Sequence, residues 1–285
     1  MSLRAAVGVQ APFLFIEAGG TAVAVKRQGQ GQPVICLHAT GHGGRDFEGF
    51  AAAMTGKGFE TIALDWPGQG ASPPDQRKVP AGAARYAQIL RALIPQLGLS
   101  QPPILLGNSI GGAAALSLAI EQPQIAKGLV LCNPGGLVPL TFAVRCGISA
   151  MIWFFSEGVR GAAWFDRAFA LYYGFVLSGA AAAEQRARIV AAGRETVVVM
   201  RDAWMSFRSP EADLRTAAQR LQVPCLFAWA KRDRIVAWKA CKAAVDAIPG
   251  AEVRMFDGGH AAFLEDPDAF NRAFMDFAGR LPSNP

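Results

Sequence analysis

The sequence is poor in cysteine, and its five cysteines show no paired spacing. Three of them lie inside apolar runs and two stand apart, in turn Cys36, Cys132 and Cys225, then Cys146 and Cys241. There is no C-x-x-C pair and no Cys/His spacing of a zinc site. We therefore expect reduced, buried thiols, no structural metal and an intracellular chain. A chain of 285 residues is long enough to fold without such cross-links.

Long apolar runs and runs of like charge are also missing. Residues 137–155 are the most apolar stretch, but Pro139, Arg145 and Gly147 interrupt it, and it falls short of the roughly 20 unbroken apolar residues of a membrane span. Residues 1–12 lack the apolar core of a signal peptide. The formal charge is +6, but Lys and Arg are scattered. We expect a cytoplasmic protein that acts on a small molecule, with no membrane span and no nucleic-acid partner.

What the sequence does contain is a regular alternation of short apolar runs and helical stretches. Residues 13–17 and 21–26 flank a Gly-Gly pair and predict an opening hairpin. The later runs have the continuous apolar character of buried parallel strands, and helical stretches follow most of them. These runs are 33–37, 60–64, 103–106, 127–131, 223–230 and 252–256. The pattern predicts an α/β fold with a mostly parallel central sheet and helices on both faces.

The alternation of strand-like runs and helical stretches is interrupted in one long segment. Aromatic-rich, helix-like segments take over there, and we interpret residues 135–214 as an inserted helical cap. Residues 1–134 and 215–285 would then form one core domain. A last helical stretch, at about 268–280, follows the final strand.

The strongest local signal is a serine between a strand and a helix. Gly107, Ser109 and Gly111 form a G-x-S-x-G pattern after the apolar run 104–106, and a stretch of high helix propensity follows. A serine on such a strained turn needs neighbours without side chains, and the turn presents its hydroxyl at a helix N-terminus. Ser109 is the predicted nucleophile. The free backbone N–H of Ile110 is a predicted oxyanion donor.

A serine hydroxyl needs a base whose pKa lies near neutrality, and histidine is the usual choice. The sequence has three histidines. His38 and His42 follow the run 33–37, well before the serine, whereas His260 follows the run 252–256. The chain order of nucleophile, acid and histidine that accompanies this turn selects His260 as the base.

The acid is predicted from its place at the end of a strand. Asp233 follows the run 223–230, and ligands and catalytic groups gather at the carboxyl ends of strands in open α/β sheets. Asp257 and Asp266 are nearer to His260 in the sequence. The first ends a strand-like run and the second begins a helical one, so Asp233 is the predicted partner of the histidine.

Taken together, these motifs resemble the α/β-hydrolase superfamily over nearly the whole length outside residues 135–214. Residues 65–72 look like its D-x-P-G-x-G-x-S turn, and residues 38–44 resemble its HG-x loop. The resemblance implies that the backbone N–H of Thr40 is the second oxyanion donor. His42, in the same loop, is a candidate substrate contact.

The residue type at position 109 limits the reactions that the protein can catalyse. Haloalkane dehalogenases and epoxide hydrolases of this superfamily carry an aspartate there, whereas a serine attacks carbonyl carbon and forms an acyl-enzyme. Aromatic and aliphatic residues of the segment 135–214 could lie over an apolar acyl or aryl group. The sequence therefore predicts a serine hydrolase that cleaves a carboxylic ester with a hydrophobic portion, and the mechanism needs no metal or organic cofactor.

Two alternatives stay open. Asn108 and residues 133–136 resemble the carbon–carbon hydrolases that cleave ring-fission products of aromatic catabolism. Those enzymes carry a tryptophan after the catalytic histidine, where this sequence has Ala261, and a cap arginine that binds an anionic substrate. Arg201 and Arg208 are the candidates for that arginine, and Asn108 is a candidate substrate contact. The second alternative is a non-catalytic binding protein, because some members of the superfamily are ligand receptors.

Overall fold

Eight strands form one sheet in a computed structural model that describes residues 13–282. In chain order they are β1 (Leu14–Ala18), β2 (Thr21–Gly29), β3 (Gln32–Leu37), β4 (Phe59–Leu64), β5 (Ile104–Asn108), β6 (Gly128–Cys132), β7 (Cys225–Ala230) and β8 (Ala251–Phe256). Across the sheet their order is β1-β2-β4-β3-β5-β6-β7-β8. Residues 1–12, on which the expectation about a signal peptide depends, and residues 283–285 lie outside the described part.

The pairing of the strands confirms the predicted hairpin and the mostly parallel sheet. Strand β2 pairs antiparallel with β1 and β4, and every pair from β4 to β8 is parallel. In β3, Ile35 and Leu37 join one hydrophobic core cluster and Val34 and Cys36 join the other. Because alternate side chains point to opposite faces, a strand buried on both faces has a continuous apolar sequence.

Helices cover both faces of the sheet. In chain order they are α1 (Glu48–Met54), α2 (Ala83–Leu93), α3 (Ile110–Glu121), α4 (Phe142–Val159), α5 (Phe165–Val176), α6 (Ala183–Ala191), α7 (Gly193–Ser206), α8 (Trp238–Asp246), α9 (Ala262–Glu265) and α10 (Pro267–Ala278). Helices α2, α3 and α8 share the core cluster of Ile35, and α1, α9 and α10 share that of Val34. The fold is therefore the predicted sheet between two helical layers.

Helices α4 to α7, residues 142–206, all lie between β6 and β7, and we refer to them as the helical segment. Helix α4 packs mainly against α7, and α5 packs against α6. The helical character predicted for this region is present. Its division from the core as a separate cap of residues 135–214 stays a prediction.

Helix α4 runs through Arg145 and Gly147. These residues interrupt the apolar run of the sequence but not the helix, because an arginine or a single glycine is tolerated inside a helix. With 18 residues and a mean hydropathy of 1.2, it is long and apolar enough to cross a membrane by length and composition alone. One such helix is weak evidence for a span, and Val144 and Ile148 of this helix line a cavity in the protein.

All five cysteines are free thiols. Cys36, Cys132, Cys225 and Cys241 are buried, and burial raises the pKa of the Cys225 and Cys241 thiols to about 12. Cys146 is exposed because most of α4 lies at the surface, so the prediction of buried thiols was wrong for this one. Within residues 13–282, no cluster of three or more His, Cys, Asp or Glu side chains could hold a metal ion.

Candidate active site

Ser109 lies on a sharp turn between β5 and α3. Its φ of 54° is uncommon for a residue with a side chain. A Cβ atom on Gly111 would lie 2.4 Å from the carbonyl oxygen of Leu37, and one on Gly107 would lie 2.7 Å from the backbone of Gly112. Both glycines are therefore required by the close approach of backbone segments, which is the physical basis of the G-x-S-x-G pattern.

His260 and Asp233 form a buried hydrogen-bonded pair. Nδ1 of His260 lies 2.8 Å from Oδ2 of Asp233, and their side chains are 5% and 0% exposed. The backbone N–H groups of Ile235 and Val236 donate to Oδ1 of the same carboxylate, at 2.7 and 3.0 Å. Because an ionised carboxylate only accepts hydrogen bonds, Nδ1 of His260 carries the proton and Nε2 is left free for other chemistry.

Asn133 holds Asp233 from the neighbouring strand end. Its Nδ2 donates to Oδ2 of Asp233 at 2.6 Å, and its Oδ1 accepts the N–H of Ala230 at 3.0 Å. The residue is fully buried and has a φ of 44°, a conformation that asparagine tolerates better than most residues. Sequence reasoning used Asn133 only as part of a family resemblance. Its position at the carboxyl end of the strand beside β7 is the signal that could have revealed this role.

The charge environment of His260 favours its protonated form. Burial lowers the pKa of the imidazole, but the negative charge of Asp233, the hydrogen bond to that carboxylate and the charge of Glu265 outweigh burial and raise the pKa above its ordinary value. The histidine is therefore a stronger base than a free imidazole.

Glu265, in the short helix α9, supports the loop that carries His260, and sequence reasoning missed it. Its Oε2 accepts the backbone N–H groups of Gly259, His260 and Ala261, at 2.7, 3.0 and 3.3 Å. Its Oε1 accepts the N–H of Gly179 at 2.7 Å, from the helical segment. One carboxylate thus ties the histidine loop to the segment that covers it. An acidic residue just after a Gly-Gly-His loop, where backbone N–H groups lack partners, was the available signal.

Ser109 and His260 line one cavity of about 130 Å³. Much of its wall is apolar and comes from the helical segment, through Val144, Ile148, Tyr172, Val176, Met200 and Trp204. Among residues 13–282, Asp213 is the one carboxylate in the wall, and it is paired with Arg215 through two hydrogen bonds of 2.8 and 2.7 Å. Within the described residues, no lysine or arginine lines this cavity. Its chemistry suits a small apolar molecule with a reactive polar group.

The predicted oxyanion donors lie at the ends of two turns. Ile110 is the first residue of α3, so its N–H has no acceptor within the helix. Thr40 lines the cavity, and its carbonyl accepts the hydroxyl of Tyr173 at 3.3 Å. Next to it, the N–H of Gly41 donates to Oε1 of Gln69, in the 65–72 turn, at 2.6 Å. That turn therefore fixes the loop that presents the Thr40 backbone.

The structure does not bring three of the predicted substrate contacts to the cavity wall. Asn108 is buried, and its Nδ2 donates to the carbonyls of Cys132 and His260, at 3.0 Å each. Arg201 donates to its neighbour Asp202, and Arg208 is exposed. The cavity side of this part of the chain is occupied by apolar side chains instead. Of the four predicted contacts, only His42 lines the cavity.

Comparison with known proteins identifies the family of this chain. Residues 34–273 match the Alpha/beta hydrolase family. A protein named carbamate hydrolase RutD, from Pantoea ananatis, is 32% identical over 240 residues, which cover 82% of this chain and 83% of the relative. A protein of Escherichia coli named 2-hydroxy-6-oxononadienedioate/2-hydroxy-6-oxononatrienedioate hydrolase is 27% identical over 94% of this chain and 95% of its own length.

Solved structures agree on the fold. An esterase from Exiguobacterium antarcticum superimposes with a TM-score of 0.81 at 20% identity, covering 93% of this chain and 98% of the esterase. At that identity the likeness speaks for the fold alone. The family match, however, spans most of the chain and includes the turn of Ser109 and the loop of His260. This chain belongs to the Alpha/beta hydrolase family.

Proposed function

We propose that this hydrolase cleaves small carboxylic esters with a hydrophobic portion through an acyl-enzyme. Nε2 of His260 takes the proton of Ser109 as the hydroxyl attacks the carbonyl carbon, and Asp233 keeps the imidazole in the Nδ1–H tautomer. The alcohol leaves, and a water activated by His260 releases the acid. The main support is the placing of Ser109 and His260 at the wall of one apolar cavity, with the His–Asp pair buried behind it.

In this mechanism the negative charge of the tetrahedral intermediate lies on the former carbonyl oxygen. The N–H of Ile110 at the start of α3 and the N–H of Thr40 are the proposed donors to that oxygen. The N-terminus of α3 adds a favourable partial positive charge at the same point. No metal or organic cofactor takes part in these steps.

The helical segment is proposed to act as a cap over the bound ester. Val144, Ile148, Met200 and Trp204 place apolar side chains in the cavity wall, where they can bury an acyl chain and exclude water. Water exclusion strengthens the interactions of the oxyanion donors, because the local dielectric constant falls. The cap therefore contributes both to specificity and to the chemistry.

Carbon–carbon bond hydrolysis is the second candidate. The relative from Escherichia coli is named as a hydrolase of such ring-fission products, and the match to this chain covers 95% of that relative. The ester is preferred because ring-fission products carry carboxylate groups, and within the described residues no lysine or arginine lines the cavity to bind them. The name carbamate hydrolase of the relative from Pantoea ananatis is compatible with the same attack by serine on a carbonyl carbon.

Hydrolysis of p-nitrophenyl esters of graded acyl length tests the proposal. A cavity of about 130 Å³ is similar to one that holds a benzene ring, so we expect the highest kcat/KM for acyl chains of roughly four to six carbons. Rates should fall for dodecanoate. A folded protein that hydrolyses none of these esters would contradict the proposal. Cleavage of a vinylogous diketone acid would then favour carbon–carbon hydrolysis, and tight binding without turnover would favour a binding protein.

Substitution of Glu265 tests how the histidine loop is held. Activity needs neutral His260, so kcat/KM should rise as the pH rises through the pKa of His260, which lies above the ordinary value of a histidine. Because the charge of Glu265 favours the imidazolium, Glu265→Gln should move this midpoint to lower pH and lower kcat about tenfold through a looser loop.

The pH profile of kcat/KM measures both effects, and Glu265→Asp should restore the midpoint in part. Glu252→Gln is the matched control, because Glu252 pairs with Arg280 at the surface, and its profile should equal that of the wild type. An unchanged midpoint in a folded Glu265→Gln variant would remove Glu265 from the positioning of His260.

A further inference from the structure

A second histidine–carboxylate pair lies at the wall of the same cavity. Nδ1 of His42 and Oδ2 of Asp46 are hydrogen-bonded, and both side chains are 1% exposed. Oδ1 of Asp46 accepts a hydrogen bond of 2.7 Å from the guanidinium of Arg188 in α6. His42 and Ser109 line one cavity, so the pair repeats next to the serine the arrangement of His260 and Asp233.

The charge of Asp46 fixes which nitrogen of His42 carries the proton. Burial opposes ionisation of Asp46, but its interactions with His42 and Arg188 outweigh burial and lower the pKa of the carboxyl group. An ionised carboxylate only accepts, so Nδ1 of His42 is the donor. In the Nδ1–H tautomer this hydrogen bond to Asp46 is made and Nε2 carries a lone pair. Nε2 is then a hydrogen-bond acceptor.

His42 is held in one orientation. Its backbone N–H donates to the carbonyl of Ala39 at 3.2 Å, and its ring lies 5.7 Å from the ring of Tyr173, measured between centroids. The same short turn contains Thr40, the proposed oxyanion donor. His42 is therefore held in the turn that carries Thr40, and both residues line the same cavity as Ser109.

His38 shows what a purely structural histidine looks like in this loop. Its Nδ1 donates to the carbonyl of Ala39 at 2.7 Å, and its Nε2 accepts the N–H of Trp66 at 2.9 Å. Both ring nitrogens of His38 thus have partners within the protein. His42 has a partner on Nδ1 alone among residues 13–282. His42 lines the cavity, so a donor group of a bound ligand can become the partner of its Nε2.

We propose that Nε2 of His42 accepts a hydrogen bond from a hydroxyl or N–H group of the substrate, which makes the natural ester one that carries such a donor near its carbonyl group. This proposal depends on the proposed esterase function for its substrate class. The side chains of His42, Tyr173 and Met200 form the wall at which the donor would bind.

Two pairs of esters test the proposal by kinetics. One pair is p-nitrophenyl 3-hydroxybutyrate and p-nitrophenyl butyrate, and the other is 2-hydroxyethyl butyrate and propyl butyrate. We expect the wild type to favour the hydroxylated member of at least one pair by about tenfold in kcat/KM. His42→Leu should bring that ratio close to one. His42→Gln, whose amide oxygen can also accept, should keep part of it.

Val144→Ala is the matched control, because it changes an apolar side chain of the same cavity and should alter both members of a pair by the same factor. Equal wild-type rates within both pairs would overturn the proposal. A preference for the hydroxylated ester that survives His42→Leu would overturn it as well.

Imidazole ¹⁵N NMR gives a readout that does not depend on turnover, and the chain has only three histidines to assign. His42 should be the Nδ1–H tautomer in the ligand-free protein. In Ser109→Ala, which leaves the ester intact, the Nε2 resonance of His42 should move with p-nitrophenyl 3-hydroxybutyrate and not with the butyrate. An Nε2–H tautomer, or no difference between the two esters, would overturn the proposal. A wild type that cleaves no ester refutes the esterase function, whereas the tautomer still decides the role of His42.

Discussion

Replacing Ser109 with alanine is expected to lower kcat for p-nitrophenyl butyrate by about four to six orders of magnitude. The variant retains the cavity, the base and the oxyanion donors, but it has no atom that can form the acyl-enzyme. The free energy of unfolding should change by less than about 1 kcal/mol, because alanine keeps the Cβ atom of the turn. The hydroxyl of Ser109 also makes no capping hydrogen bond to α3 that the substitution would remove.

Burst kinetics and thermal unfolding check this result together. The wild type should show a burst of p-nitrophenol with a fast-acylating ester, and the variant should show none. Ser117→Ala is the matched control, because Ser117 lies on the same helix α3 but lines a different groove, so its kcat should stay at the wild-type level. Turnover above about 1% of the wild type in pure, folded Ser109→Ala would exclude Ser109 as the nucleophile.

Replacing Asp233 with asparagine is expected to lower kcat about 10⁴-fold, because the amide no longer selects the Nδ1–H tautomer of His260. The cost extends to stability. Each oxygen of Asp233 accepts hydrogen bonds, from Asn133 and His260 on one side and from Ile235 and Val236 on the other. The amide NH₂ group must face donors in either orientation, so we expect the free energy of unfolding to fall by about 1–3 kcal/mol.

Chemical denaturation and steady-state kinetics measure the two effects on one preparation. Asp257→Asn is the control, since Asp257 is close to the histidine in sequence but pairs with Lys231 at the surface. It should leave kcat within about twofold of the wild type. A large loss of activity in Asp257→Asn, with Asp233→Asn still active, would show that Asp233 is not the acid that pairs with His260.

The centre of the sheet could be predicted from the sequence because strands β3, β5, β6 and β7 are buried on both faces. Such strands have continuous apolar runs, and each predicted run contains a strand of the structure to within a few residues. The turn of Ser109 was equally readable, because Gly107 and Gly111 are forced by contacts with nearby backbone. A local pattern was enough in both cases, since the physical cause of each pattern is local or belongs to one strand.

The partners that hold the site could not be read in this way. Asn133 lies 100 residues from Asp233 in the sequence, and Arg188 lies 142 residues from Asp46. No periodicity relates such residues, because the sheet order and the path of the helical segment bring them together. Glu265 is near His260 in sequence, but its bond to Gly179 likewise depends on how the helical segment packs.

The sequence by itself determined the fold class, the serine turn and the order of serine, aspartate and histidine along the chain. Only the tertiary structure decided which side chains face the cavity. Arg201 and Arg208 had the right charge for an anion site, yet Arg201 pairs with Asp202 and Arg208 faces solvent, whereas Met200 and Trp204 line the wall. The direction of a helical side chain depends on how the helix is rotated against its neighbours, and that rotation is set by packing across the whole molecule.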